Sequence, residues 1–121
     1  MIERGQLKPL LMTALQEIAM PTYIVMSKWT AQGLQNIKQS PMRLEAGRKA
    51  FEAAGMKMPG FYMTTGRYDM VAIVEAPDDV TLAKALLATT AQGNYTTETC
   101  RAFTENEYRQ IIEGIPTMKT S

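Results

Sequence analysis

A short turn between two strand-like segments sets the strictest limit on the fold of this chain. Residues 61–64 and 70–74 form largely apolar runs, and a Gly-Arg-Tyr-Asp motif at 66–69 lies between them. Because glycine tolerates the positive φ that tight turns need, segments 57–64 and 68–75 are predicted to pair as an antiparallel hairpin. The turn brings a cation, a phenol and a carboxylate to the start of an apolar strand, where polar groups need partners. It therefore indicates either a structural ion pair or a binding site.

The segment before the hairpin predicts one strand and one broken helix. Residues 22–29 are rich in aromatic and β-branched side chains, which favour a strand. A helical pattern follows, and Ser40 and Pro41 interrupt it as a cap and a first-turn residue. We therefore expect a short helical turn before Ser40 and a longer helix after it, ending at Gly55. The apolar stripe of this element comprises Leu34, Ile37, Leu44, Phe51 and Ala54, with the stem of Arg48 laid along it.

The segment after the hairpin predicts a second helix, a fourth strand and a short final helix. The second helix is expected between a cap at Asp78 and a stop at Gly93. Its shared face is predicted to contain Val80, Ala83, Leu86, Leu87 and Thr90. The strand covers about 95–103. Thr104 and Glu107 then have the spacing of a capping box, which opens a helix that runs to Ile112.

The order of these elements indicates an α+β fold of the ferredoxin-like βαββαβ type, with a short C-terminal helix added. Right-handed crossovers place both main helices on one face of a four-stranded antiparallel sheet. Strand alternation separates Ile24 and Met26 from Tyr23, Val25 and Trp29 in the first strand, and Val71 and Ile73 from Met70, Ala72 and Val74 in the third, so both faces of the sheet are apolar. A monomer would expose the face without helices, so we expect a homodimer or a higher homo-oligomer.

The composition excludes several kinds of chemistry. The chain has no histidine, which removes Ser-His-Asp catalysis and histidine-ligated zinc, and no paired-cysteine motif occurs. We therefore expect no metal site and no cofactor. Thirteen basic and twelve acidic residues are interspersed, which disfavours nucleic-acid binding. The single cysteine and the lack of a transmembrane run favour a cytoplasmic protein without membrane attachment.

A series of motifs along the chain resembles one known family. The motifs lie at 20–25 (Met-Pro-Thr-Tyr-Ile-Val), Trp29 and Thr30 with Gly33, Ser40 and Pro41, 60–62, the 66–69 turn, 74–78, 97–99 and 101–104. Together they cover about residues 20–113, and their order resembles the GYD domain family. The resemblance implies a bacterial or archaeal ferredoxin-like domain related to the dimeric α/β barrels, without an established activity. In the turn that gives the family its name, Arg67 lies between the glycine and the tyrosine.

The resemblance also divides the chain. We assign 20–115 to the GYD-like domain and 116–121 to a C-terminal tail. Residues 1–19 are predicted to lie outside the functional domain, with Met20 as an alternative translation start. The competing interpretation is a helix that docks on the domain, because an amphipathic face is formed by Leu7, Leu10, Leu11, Ala14, Leu15 and Ile18.

Three residues of the turn are the main candidates for a site, and two interpretations remain open. Arg67, Tyr68 and Asp69 either lock the hairpin or bind a ligand. In the first case Asp69 accepts from backbone amides or pairs with Arg101. We prefer the structural interpretation, because no other catalytic machinery accompanies these residues.

Other notable side chains have structural explanations as well. Trp29 and Tyr62 either form an aromatic wall of a pocket or pack under the broken helix, and packing is preferred. Glu75 and Glu98 are expected to be solvated. Cys100 is predicted to be a small buried hydrophobe rather than a reactive thiol.

Two classes of function follow. The preferred one is a small oligomeric α/β-barrel domain that binds a small ligand or a partner between sheet and helices. There Arg67 would anchor an anion, Tyr68 and Asp69 would orient the ligand, and Trp29 would contact it. The alternative is a cofactor-independent oxygenase or isomerase with Asp69 as base and Tyr62 or Tyr68 as proton donor. That alternative rests on analogy with other barrels of this fold.

Overall fold

A computed structural model describes residues 5, 7 and 20–118 of the chain. The predictions for the N-terminal extension therefore lie outside the described residues, apart from positions 5 and 7. The elements, in chain order, are β1 (Thr22–Trp29), α1 (Ala31–Gln35), a 3₁₀ turn (Ile37–Gln39), α2 (Ser40–Ala53), β2 (Lys57–Met63), β3 (Met70–Glu75), α3 (Asp79–Thr90), β4 (Tyr95–Ala102) and α4 (Glu105–Glu113). No helix within 20–118 is long and apolar enough to cross a membrane.

The four strands form one antiparallel sheet in the order β2-β3-β1-β4. This order and the alternation of helices and strands confirm the predicted ferredoxin-like fold. Ile24 lies in the centre of the sheet, opposite Ile73 of β3 on one side and Cys100 of β4 on the other. Both main helices pack on the same face of the sheet.

The hydrophobic core lies between that face and the helices. Tyr23, Val25 and Val74 contribute from the sheet, Phe51 from α2 and Leu82 from α3, and all five are buried. Tyr23 also donates a hydrogen bond to the Asp79 carboxylate at the start of α3. The core therefore joins both helices to the central strands, as the strand alternation predicts.

The predicted hairpin is confirmed, but its loop is longer than expected. Pairing between β2 and β3 ends at Met63 and Met70, so residues 64–69 form the connection. Thr64 closes this loop: its N–H donates to the Asp69 carbonyl at 2.8 Å, and its hydroxyl to the Tyr68 carbonyl at 2.6 Å. Gly66 has a φ of 117°, which explains the glycine of the motif.

The broken first helix is also confirmed, although Ser40 is not its cap. The 3₁₀ turn runs directly into α2, so Ser40 already has helical angles of −55° and −44°. Its N–H bonds to the Ile37 carbonyl, and the cap position falls on Gln39, whose side chain makes no capping bond. Pro41 lies in the first turn, where its missing N–H leaves no bond unmade.

The predicted shared face of α3 is wrong at three positions. Val80 and Leu87 are 62% and 69% exposed and Ala83 is also exposed, whereas Leu82 is buried and Ala85 and Leu86 pack against the core. This helix carries alanines and leucines around most of its circumference, so its hydrophobic period does not select a face. Contact with the sheet determines which face of α3 is buried. The cap at Asp78 is confirmed, since its carboxylate accepts from the Thr81 N–H. The helix ends at Thr90 with Ala91 as its C-cap, and Gly93, with a φ of 85°, follows in the turn.

Candidate functional site

The turn at 66–69 is attached to β1 through Asp69. The Asp69 N–H donates to the Ser27 carbonyl at 2.9 Å, and the Asp69 carboxylate accepts the backbone N–H of Trp29 at 3.1 Å. Asp69 thus extends the pairing of β1 beyond the end of β3. Acceptance from a backbone amide is one of the two structural roles expected for Asp69. The other expected role, an ion pair between Asp69 and Arg101, is not observed. The Arg101 guanidinium lies 3.6 Å from the Glu107 carboxylate instead.

Tyr68 connects the turn to β4, the strand at the other edge of the sheet from β2. Its hydroxyl donates a hydrogen bond to the Glu98 carboxylate of β4, and this bond raises the pKa of the Tyr68 phenol. The Arg67 guanidinium lies 5.8 Å from the centroid of the Tyr68 ring, which is cation–π distance. Glu98 is exposed, as predicted. These polar side chains therefore bond to one another at the edge of the sheet rather than enclosing a cavity.

The side of the sheet that faces away from the helices carries apolar side chains at its centre. We call this surface the open face; register and strand alternation assign to it Ile24, Met26, Tyr62, Val71, Ile73, Glu98 and Cys100. The four central side chains are half-buried, and Tyr62 is exposed. The prediction that Cys100 is buried is wrong, because β4 directs this side chain away from the helices. Nothing within residues 20–118 covers the thiol.

A second apolar surface lies on α4. Tyr108, Ile111 and Ile112 are between 47% and 58% exposed and share one side of the helix, at spacings of three and four. The predicted capping box fixes the start of this helix, since Thr104 and Glu107 bond reciprocally. Sequence reasoning predicted the helix but missed its exposed stripe. The spacing of these three residues is the signal that reveals it.

A cavity of about 80 Å³ lies between the sheet and the two main helices. The predicted ligand-binding residues do not line it: Arg67, Tyr68 and Asp69 are at the turn, and Trp29 is not among the residues that surround the cavity. Tyr62 lies on the open face, whereas Trp29 follows the alternation of Tyr23 and Val25 toward the helices. The two rings consequently form no common wall. Within 20–118, no group of three acidic, cysteine or histidine side chains is placed to hold a metal ion.

Comparison with known proteins assigns this domain to a family. A family model described as "GYD domain" matches residues 23–112. The chain belongs to the GYD domain family. A relative from Thermus thermophilus is 34% identical over 84 residues, which cover 69% of this chain and 88% of the relative. That relative is named "Glutamine synthetase and cystathionine beta-lyase binding protein". No solved structure matches the chain.

The family motif has a clear structural role in this GYD domain. Gly66 supplies the positive φ, Tyr68 bonds to β4, and Asp69 bonds to β1. The GYD turn is therefore bound to two strands other than the two that it connects. Its side chains position the edge of the open face.

Proposed function

We propose that this GYD protein is a homo-oligomeric binding protein that docks on a metabolic enzyme. The observation that carries the proposal is the pair of apolar surfaces, the open face and the α4 stripe, on a small domain with a separate, well-formed core. Surfaces of this kind on soluble domains are typical of protein interfaces. Each surface has a distinct role in the proposal.

The open face serves self-association. Ile24 and Ile73 lie opposite each other at its centre, and Met26 and Val71 form the neighbouring pair. A two-fold axis through this region would stack two sheets face to face, at the roughly 10 Å spacing of packed sheets. Each half-buried aliphatic side chain would then leave water, which stabilises the pair by about 25 cal/mol for each Å² covered. The product is the dimeric α/β barrel expected from the fold.

The α4 stripe serves the partner enzyme. Its apolar residues Tyr108, Ile111 and Ile112 are accompanied on the same helix by charged residues, among them Glu105, which pairs with Arg109 at 2.8 Å. An amphipathic helix of this kind fits an apolar groove with a polar rim. The name of the Thermus relative supports an enzyme as the partner and makes glutamine synthetase and cystathionine beta-lyase the first candidates. The cytoplasm remains the expected compartment, because the exposed Cys100 thiol has no second cysteine in the chain.

Calorimetric titration of the full chain against glutamine synthetase and cystathionine beta-lyase from the same organism tests the docking proposal. We expect binding to at least one of them, weakened tenfold or more by Ile112→Glu, because a charge in an apolar groove loses its hydration. Val80→Glu is the matched control, since Val80 is also an exposed aliphatic residue but lies on α3, outside the α4 stripe. Light scattering of both variants checks that the oligomer is intact.

Two results would contradict the proposal. Absence of binding to both enzymes would overturn the partner class. Equal binding by Ile112→Glu and the wild type would exclude α4 as the docking surface.

A further inference from the structure

Arg43 has an unusual environment on the inner side of α2. Its Nη1 donates to the Asn36 carbonyl at 3.1 Å, at the C-terminal end of α1. Its Nε and Nη2 are buried and have no hydrogen-bond partner in the described part of the chain. Buried polar atoms are normally paired, and a guanidinium keeps its charge when buried. Two of its donor groups therefore lack the partners that buried donors normally have.

The two unpaired nitrogens lie on the same edge of the guanidinium. Nε–H and Nη2–H point in parallel, and their spacing matches the two oxygens of a carboxylate. The bond to Asn36 uses the third nitrogen and fixes the orientation of the planar group. Arg43 thus presents the edge that recognises an anion through two parallel hydrogen bonds.

The cavity beside Arg43 is mostly apolar. Its volume of about 80 Å³ accommodates roughly six water-sized groups. Its apolar lining includes Val25, Phe51, Met58, Phe61, Val74 and Leu86. Ser27, Ser40 and Thr97 add hydroxyl groups, and no carboxylate lines the space. The cavity therefore combines one cation with an apolar interior, and no lining residue neutralises that cation.

A groove between α2 and α3 adjoins the same cavity. Arg43, Gly47, Phe51, Thr89 and Tyr95 line both spaces. The remaining lining of the groove is mainly alanine, with one cation and no acidic residue. The small side chains keep the groove open, and its charge favours the approach of an anion.

We propose that this cavity binds a small carboxylic acid with a short apolar tail, and that Arg43 holds its carboxylate through Nε and Nη2. The apolar residues surround the tail. A single guanidinium matches a monoanion, whereas a phosphate dianion would retain unpaired charge in an apolar space. The site is independent of the proposed docking function, because neither the open face nor the α4 stripe lines it.

NMR of the full chain with ¹³C-methyl methionine tests the proposal directly. Met58 and Met70 line the cavity, whereas Met42 and Met63 are exposed outside it. We expect butyrate and benzoate to shift the signals of the two cavity methionines and to leave the outer two in place. Butyramide and benzamide, which have the same shape without charge, should bind at least tenfold more weakly, as should inorganic phosphate.

Two arginine variants assign the anchor. Arg43→Met should weaken butyrate and benzoate binding at least tenfold and leave the weak amide binding unchanged. Arg67→Met, which alters the anchor expected from the sequence, should bind as the wild type does. If Arg43→Met does not fold, Arg43→Lys replaces it, because lysine keeps the charge but lacks the parallel pair of donors.

Several results would overturn the proposal. They are the absence of cavity shifts with both acids at about 10 mM, equal binding of acids and amides, equal binding of phosphate, and loss of binding in Arg67→Met rather than in the Arg43 variant.

Discussion

Two side chains of the GYD turn stabilise contacts between segments that are distant in sequence. Asp69 accepts the Trp29 N–H at the end of β1, and Tyr68 donates to Glu98 on β4. Tyr23 makes a comparable bond from β1 to Asp79 of α3. Each bond pairs a phenol or an amide with a carboxylate, which is a stronger arrangement than a bond between neutral groups.

Replacement of Asp69 tests the structural role of the turn. Asp69→Ala should lower the free energy of unfolding by about 1–3 kcal/mol, because the half-buried Trp29 amide loses its acceptor. Asp69→Asn should have a smaller effect, since its amide oxygen still accepts an N–H. Urea unfolding at neutral pH measures both. Glu113→Ala, at the exposed end of α4, should stay within about 0.5 kcal/mol of wild type. An unchanged midpoint for Asp69→Ala would contradict the structural role.

The phenol–carboxylate bonds predict a loss of stability at high pH. The bond to Asp79, together with burial, raises the pKa of Tyr23, and the bond to Glu98 raises that of Tyr68. In the unfolded chain a tyrosine ionises near about pH 10. The contribution of both bonds is therefore fully present below that pH and is lost as the pH rises through the raised folded values.

Urea midpoints between about pH 8 and pH 11 check this prediction. The wild type should lose stability over the upper part of this range, and the double variant Tyr23→Phe, Tyr68→Phe should show a flatter dependence. Equal slopes for the two proteins would contradict it.

At the level of whole elements, the short helix α1 is joined to the loop between α3 and β4. The Thr30 N–H donates to the Asn94 carbonyl at 3.0 Å, and Gln32 donates to the Gln92 carbonyl at 2.9 Å. Gly33 is buried at the contact, where a Cβ would lie 2.0 Å from the Asn94 carbonyl oxygen. Close backbone approach therefore explains the glycine that follows Trp29 and Thr30.

Gly33→Ala should consequently lower the free energy of unfolding by about 1–3 kcal/mol, because backbone must move to admit the methyl group. Gly47→Ala is a matched control within α2, where an added Cβ meets nothing within 4 Å. That change should raise stability by about 0.5–1 kcal/mol, since alanine favours helix. Thermal unfolding of the two variants measures the difference. Equal melting temperatures would show that the α1 contact is not as tight as described.

Within residues 20–118, one core lies between the helices and one face of the sheet, and apolar side chains lie on the opposite face. The helices of this part of the chain cover only one side of the four-stranded sheet. The open face is the consequence, and its central residues Ile24 and Ile73 belong to paired strands. Association of copies is the physical solution that the fold makes available.

Light scattering at micromolar concentration tests this association. The full chain should have at least twice the 13.5 kDa mass of one copy. Ile73→Lys should yield monomers, because its ammonium group would be buried at the centre of the interface. Leu87→Lys, on the exposed side of α3, should leave the oligomer intact. A wild-type mass of 13.5 kDa by light scattering, which is that of a monomer, would contradict the prediction.

Local residue patterns were sufficient to predict the order of the elements, the hairpin, the break in the first helix and the caps at Asp78 and Thr104, but not the cap of α2, which falls on Gln39 rather than Ser40. The roles of Gly66, Asp78 and Thr104 depend only on residues close to them in the sequence. A short stretch of sequence is therefore enough to predict these roles. The possible bond from Asp69 to a backbone amide was also predictable, although its partner Trp29 was not. The order of the elements already indicated the ferredoxin-like fold, and the family motifs agreed with it.

Packing between distant segments determined the rest. The sheet selected the buried face of α3, and the alternation of β4 beside β1 exposed Cys100. Arg43 resembles an ordinary surface cation in the sequence, and its two unpaired donors arise only where α2 lies over the cavity. Burial, charge compensation and the shape of a cavity depend on residues far apart in the chain. These properties therefore exist only after the sheet and helices have packed together.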